Sequence, residues 1–229
     1  QAGHAAVNNA FNANHFIFLL QGAGWTLVLS LMAFVGGGAL GFIVALCRIS
    51  PLRALRWLST GYVQLVQGTP LLILMFLSYF GLSIVGLTLP ALVAAGISMT
   101  IYVSAYIGEI WRGCMQAVPR TQWEAAECLA LSKPQRMRLV VLPQALRIAT
   151  PPTVGFMVQI VKNTSLASVV GFVELARAGQ VVNNSLFQPF LVYMLVAGLY
   201  FLLCFPLSWW SRRLERRLLV AHRVEVAAA

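Results

Sequence analysis

The sequence predicts an all-α fold, a polytopic membrane bundle of five helices, and three observations carry that prediction. Only 10% of the 229 residues are Asp, Glu, Lys or Arg, against roughly 25% in soluble domains, and the mean hydropathy is +0.80. No charged residue falls between Arg56 and Glu109, a stretch long enough for two spans of about 20 residues and a turn. The basic residues collect at the ends of apolar runs rather than along one continuous face. The net charge of +10 therefore speaks for membrane orientation and against nucleic acid as a partner.

The runs 25–46, 62–80, 89–110, 148–172 and 191–210 give the five spans. Backbone groups in lipid must pair within their own segment, so each run is expected to be a helix. Residues 1–14, with Asn8, Asn9, Asn12 and Asn14, read as an exposed outer lead-in; they lack the basic start and small-residue cleavage site of a signal peptide. Arg48, Arg53 and Arg56 follow the first span. Arg112, Arg120, Lys133, Arg136, Arg138 and Arg147 lie between the third and fourth, and Arg212, Arg213, Arg216, Arg217 and Arg223 follow the fifth. The remaining connections hold only Arg177, so the positive-inside rule places the N-terminus outside and the C-terminus in the cytoplasm.

Within the first span, Gly37 and Gly41 have the spacing that lets two helices approach closely. Gly68-Thr69-Pro70 should kink or begin the second helix, because Pro has no backbone donor; Gln64 and Gln67 just before it are candidates to reach a cavity. Cys47, Cys114, Cys128 and Cys204 are widely separated and read as apolar filler, with neither zinc nor disulfide spacing. Asn163-Thr-Ser165 and Asn183-Asn-Ser185 match glycosylation acceptors by chance, the first lying inside a span. The tail 211–229 alternates Arg with Leu214, Leu218 and Leu219 after Trp209-Trp210, and is expected along the inner interface against membrane lipid.

Residues 121–143 are the charged exception. Thr121-Gln-Trp-Glu124 and Ser132-Lys-Pro-Gln135 both fit capping boxes, which predicts two short helices over 122–131 and 133–142, the second stopped by Pro143. Trp123, Ala126 and Ala130 recur at helical spacing beside Glu127, forming a narrow ridge that would enter a cleft on a partner. The alternative is a cytoplasmic loop folded onto its own bundle.

Glu124-Ala125-Ala126, followed at longer spacing by Val140-Val141-Leu142-Pro143, resembles the EAA loop of permease subunits of binding-protein-dependent ABC importers. The resemblance implies that Trp123, Glu124, Ala125, Ala126, Glu127, Ala130, Leu142 and Pro143 belong to a coupling element within 113–147, seated in a cleft of a cytoplasmic ATPase. The family pattern has Gly where this chain has Ala130, and Ile where it has Val140. A left-handed turn costs Ala on the order of 1 kcal/mol, so either the helix continues and bends at Ser132, or Ala130 is strained. Leu19-Leu20-Gln21-Gly22 with Thr26-Leu27, Gln67-Gly68-Thr69-Pro70-Leu71, Glu109-Ile-Trp-Arg112-Gly113 and Lys162-Asn163-Thr164-Ser165-Leu166 with Glu174-Leu175 are similar to the polar amino acid branch, of the histidine, glutamine and glutamate type. That branch implies a single type I permease domain of five spans over 1–229 in a bacterial inner membrane. It also implies a second permease subunit, a pair of ATP-binding subunits carrying ATP and Mg, and a soluble binding protein.

Lys162 falls in the middle of the fourth span, where a charge costs about 2.5 to 3.5 kcal/mol and must face the bundle interior. Gln159, Asn163, Thr164 and Ser165 surround it, a polar run that suggests a helix opened toward a cavity. Lys162 then meets a substrate carboxylate, or forms a buried pair with Glu109 or Glu174. Glu109 and Arg112 are one helical turn apart, either a surface ion pair, an inner gate or a bridge to the coupling loop. Glu174, at the outer end of the route, is a candidate partner for an ammonium group. Among function classes, an enzyme is disfavoured: no His-Glu-x-x-His, Gly-x-Ser-x-Gly or phosphate-loop pattern occurs, and His4, His15 and His222 lie outside the spans. A stand-alone carrier or channel for small polar solutes would more often show two related halves. Half of an ATP-driven pathway fits best, with no metal and no cofactor in this chain.

Overall fold

Asn12 starts the first helix, α1 (Ala13–Ile49). Its side-chain oxygen accepts the His15 N–H at 3.1 Å, and the His15 ring accepts the Asn12 N–H at 3.3 Å. The computed structural model describes residues 11–227; residues 1–10 of the lead-in expected over 1–14 lie outside them, as do the side chains of Arg217 and residues 219–227 of the tail. α1 begins at Ala13, not Trp25, so Asn14 is helical. At 1.5 Å per residue it is about 55 Å long, well beyond a hydrocarbon core of about 30 Å. Gly22, Ala33, Gly37, Gly41 and Ala45 are buried along it. A Cβ at Gly37 would sit 2.4 Å from Val103 Cγ1, and one at Gly41 would sit 3.0 Å from the Ser104 carbonyl oxygen. α1 thus packs backbone to backbone along α4 (Ala91–Gln116), as the Gly37–Gly41 spacing predicts.

The second run is two helices instead of one straight span over 62–80. α2 (Arg53–Gly68) and α3 (Leu71–Ile84) meet at 99°. Thr69 Oγ1 donates to the Leu65 carbonyl at 2.8 Å at the end of α2, and Pro70, lacking an N–H, takes the cap position of α3. α2 buries only Ser59, Val63 and Val66, and the Tyr62 hydroxyl ties it to α4 through Ser104 Oγ at 2.6 Å.

α5 (Arg120–Cys128) follows, and then α6 (Lys133–Val170) runs through Pro143 without stopping. A Pro at this position leaves the carbonyl four residues earlier unanswered and presses its ring on it. The chain widens instead into a π turn over Met137–Val141, in which the Leu142 N–H reaches the Met137 carbonyl. At its far end α6 tightens into a 3-10 stretch, Thr164–Val170, closed by Gly171 at φ +86°. α7 (Leu175–Leu186) departs at 51° and α8 (Pro189–Ala227) completes the bundle. Among the described residues, three helices are long and apolar enough to cross a membrane, and five spans result when each bent pair is one.

The interior is divided into separate apolar clusters. Leu29, Met75, Met99, Val103 and Ile160 bring α1, α3, α4 and α6 together in the middle. Leu19, Leu175, Val182 and Val192 join α1, α7 and α8 at one end, and Ala45, Met115, Val118, Val141 and Ala145 close the other.

Candidate functional site

The loop between α4 and α6 is held by its inner face. Trp123 packs with Met137 and Leu142 against the Val118–Val141 cluster, and Ala126 is buried with it. This overturns the expected ridge: Trp123 and Ala126 grip the chain's own bundle. What α5 turns outward is Thr121, Glu124, Ala125 and Cys128, one helical face, with Glu127, Leu129 and Ala130 exposed beside it. The Thr121 capping box does not form either, since α5 begins two residues earlier than expected, behind Pro119, with no side-chain cap. The Ser132–Gln135 box does, with the Gln135 side-chain oxygen accepting the Ser132 N–H at 2.9 Å.

Ala130 takes the strained alternative, at φ +56°. Its N–H bonds the Glu127 carbonyl at 2.9 Å and the Leu131 N–H bonds the Ala126 carbonyl at 3.2 Å, the paired bonds of a Schellman turn that favours Gly at this position. The turn ends α5 before α6 begins at Lys133, and Arg136 pairs with Glu127 at 3.0 Å across it. Leu142 packs inward beneath Trp123 and Pro143 is exposed.

The intramembrane polar residues separate into two kinds. Glu174 is fully buried and caps α7: Oε1 accepts the Arg177 N–H and Oε2 the Ala176 N–H, both at 2.9 Å, while the Tyr200 hydroxyl donates to Oε2 at 2.7 Å and the Thr26 hydroxyl at 3.5 Å. Thr26 Oγ1 also accepts the Leu175 N–H at 3.2 Å. A Cβ at Gly22 would lie 2.8 Å from Ala178 Cβ, so Gly22 is what lets α7 sit this close to α1. The expectation that Glu174 meets a substrate ammonium is therefore corrected: its oxygens are spent on joining α1, α7 and α8. The Leu19–Leu27 and Glu174-Leu175 motifs form one junction.

Lys162, Gln159, Gln64 and Gln67 are instead exposed on the single chain. Among the described residues Lys162 forms no ion pair, which removes the expected partnership with Glu109 or Glu174. Gln159 Nε2 donates to Asn163 Oδ1 at 3.1 Å, and Asn163 lies beside Tyr102, whose ring stands 4.5 Å from Tyr106. The helix does not open at this polar run. Thr164 is buried and returns its hydroxyl to the Val161 carbonyl at 2.8 Å, and Ser165 does the same to Lys162. Composition alone gave no sign of the two tyrosines, which look like any aromatic core pair until Asn163 is placed next to them.

Glu109 holds two arginines. Arg48 Nη2 reaches Oε2 at 3.0 Å, and Arg112 Nε reaches Oε1 at 2.9 Å. Arg48 also donates to Thr60 Oγ1 and Arg112 to Gln116. The cluster ties the ends of α1, α2 and α4 together. The Arg48 contribution was hidden in the sequence, where it is one more base after a span, 61 positions from its partner.

Comparison with known proteins identifies the family. The model of the binding-protein-dependent transport system inner membrane component matches residues 37–220. The probable glutamine ABC transporter permease protein GlnM of Bacillus subtilis is 38% identical over 90% of this chain and 95% of its own length. The L-cystine transport system permease protein TcyB of the same organism is 35% identical over 87% and 86%. Among solved structures, an amino acid ABC transporter crystallised with histidines superposes with a TM-score of 0.84 at 30% identity, covering 89% of this chain and 95% of that one. With the bent helix pairs, the close α1–α4 contact and the charged loop between α4 and α6, these matches lead to one conclusion: the chain belongs to the family of inner membrane permease components of binding-protein-dependent transport systems.

Proposed function

We propose that the chain is one half of the translocation route of an ATP-driven amino acid importer, paired with a second permease subunit, identical or paralogous. The observation that carries this reading is the set of polar side chains left uncovered at membrane depth. Lys162, Gln159, Gln64 and Gln67 are exposed on the lone subunit, and an ammonium or carboxamide facing hydrocarbon is costly. A second subunit enclosing a wet route would cover them, with Lys162 offered to a substrate carboxylate and Asn163 positioned behind it. The relatives' names, glutamine and L-cystine, support an amino acid cargo.

Residues 113–147 form the coupling loop in this scheme, with the N-terminus outside and the C-terminus cytoplasmic. Glu124, Ala125, Glu127 and Ala130 face the cleft of a cytoplasmic ATPase dimer, which binds ATP and Mg. Trp123, Ala126 and Leu142 transmit the push to α4 and α6 through the cluster beneath them. When ATP closes the dimer, the two loops move together and the route opens outward to a soluble binding protein; after hydrolysis it opens inward. Reconstituted complex in vesicles tests this. Ala125→Arg should keep ATP turnover but lose its coupling to uptake, because the bulky side chain blocks the small outward face. Undiminished uptake would refute the docking surface. ATP turnover titrated with single amino acids in the presence of the binding protein identifies the cargo.

A further inference from the structure

At the arginine-bearing end of the bundle, the last turns of α1 and α4 and the first turns of α2 enclose a cleft of about 500 Å³. Four guanidinium groups line it: Arg48, Arg53, Arg56 and Arg112, with Trp57 and Thr60 between them. Among the described residues, the carboxylate paired with these arginines is Glu109, shared by Arg48 and Arg112. Arg53 and Arg56 have no acidic partner among the described residues.

Their position makes this costly. Both stand at the start of α2, whose N-terminus has no side-chain cap and no acidic residue in its first turn. A helix N-terminus carries a partial positive charge and favours anions, and each base placed there opposes it. Two unpaired arginines beside free backbone donors are a local excess of positive charge that an anion would relieve.

Which anion fits is decided by the rim. Trp57 lines the cleft and is 77% exposed, and Leu52 and Leu58, its neighbours along the start of α2, are 62% and 61% exposed. A soluble anion has no use for an apolar border, whereas a phospholipid brings both a phosphate and acyl chains. Basic pockets at helix ends on a membrane surface suit anionic headgroups, and arginine forks match phosphate oxygens in pairs. We propose that this cleft is a binding site for the phosphodiester headgroup of an anionic phospholipid, with Arg53 and Arg56 as its principal contacts and Trp57 lying along the acyl chains. The site clamps α2 to α1 and α4, so its occupancy would set the angle of the bent α2–α3 pair.

The test is native mass spectrometry of the full chain, purified in mild detergent with its co-purifying subunits and titrated with phosphatidylglycerol, phosphatidylcholine or inorganic phosphate. Arg53 and Arg56 are exposed and unpaired, so an R53Q/R56Q variant should fold. It should bind phosphatidylglycerol about thirty-fold more weakly, the loss of two basic contacts at a headgroup surface. An R212Q/R213Q variant, altering the other basic cluster, should bind as the parent does. Phosphatidylcholine and inorganic phosphate should bind far more weakly than phosphatidylglycerol. Unchanged binding in R53Q/R56Q, an equal loss in R212Q/R213Q, or inorganic phosphate binding as tightly as the lipid would each overturn the assignment. None of these readouts involves transport, so failure here leaves the translocation reading untouched.

Discussion

Replacing Glu174 with Ala removes the acceptor of four hydrogen bonds in a site closed to solvent. Two of the donors are backbone N–H groups of the first turn of α7, from Ala176 and Arg177; losing such a cap costs about 1 kcal/mol. The other two are the hydroxyls of Tyr200 and Thr26, and a buried donor left unanswered costs about 1 to 3 kcal/mol. Thr26 keeps its bond from the Leu175 N–H, so the lower end applies to it, and the sum is about 3 to 5 kcal/mol. For a chain of this length that is a fall in melting temperature on the order of 10 °C. Glu174→Gln retains the shape but turns an amide donor toward other donors, and should lose about half as much. Thermal unfolding of the purified protein, followed by size-exclusion chromatography after heating, measures both. If both variants melt like the parent while the substrate concentration needed for uptake rises, the carboxylate serves the cargo and the junction reasoning fails.

Ala130→Gly should stabilise the loop by about 1 kcal/mol, because Gly meets no Cβ penalty at φ +56°, and a modest rise in melting temperature would register it. Gly37→Val should prevent assembly, since even a Cβ would overlap Val103; recovery of folded protein at parental yield would contradict the α1–α4 packing. Lys162→Met should melt like the parent, having no ion pair to lose, yet lower uptake, and full uptake would remove the substrate role. Arg48→Gln should cost only about 1 kcal/mol, because its pair with Glu109 is partly open to solvent and Arg112 remains.

How far the sequence carried differs by type of interaction. Helix content, the Gly37–Gly41 approach and the Ser132 cap follow from local chemistry, and each is in the structure; the five expected spans are met when each bent pair counts as one. The helix that runs through Pro143 was not foreseeable from the residue alone: Pro disfavours a helix interior, and here the turn just upstream widens to admit it. The inversion of α5 has a similar cause. Trp123 and Ala126 share a helix face, but whether that face meets a partner or the home bundle depends on Met137 and Leu142, which the π turn of α6 brings beneath them. Glu174 was misjudged because its partners Thr26 and Tyr200 lie on α1 and α8, and periodicity says nothing about what a distant helix offers.

The division between satisfied and unsatisfied polar groups is itself informative. Glu174, Thr164 and Ser104 are buried and fully answered within one chain, and their role is to fix how helices join. Lys162, Gln64 and Gln67 are equally polar and are left open on the lone subunit, as is Gln159 apart from its bond to Asn163. Polarity at membrane depth is tolerated only where something covers it, so the two sets cannot share a function. The first completes the subunit. The second stays open on the lone subunit, and on the proposed reading it is this open set, with Lys162 at its centre, that a second subunit covers while the buried Glu174 holds each half together.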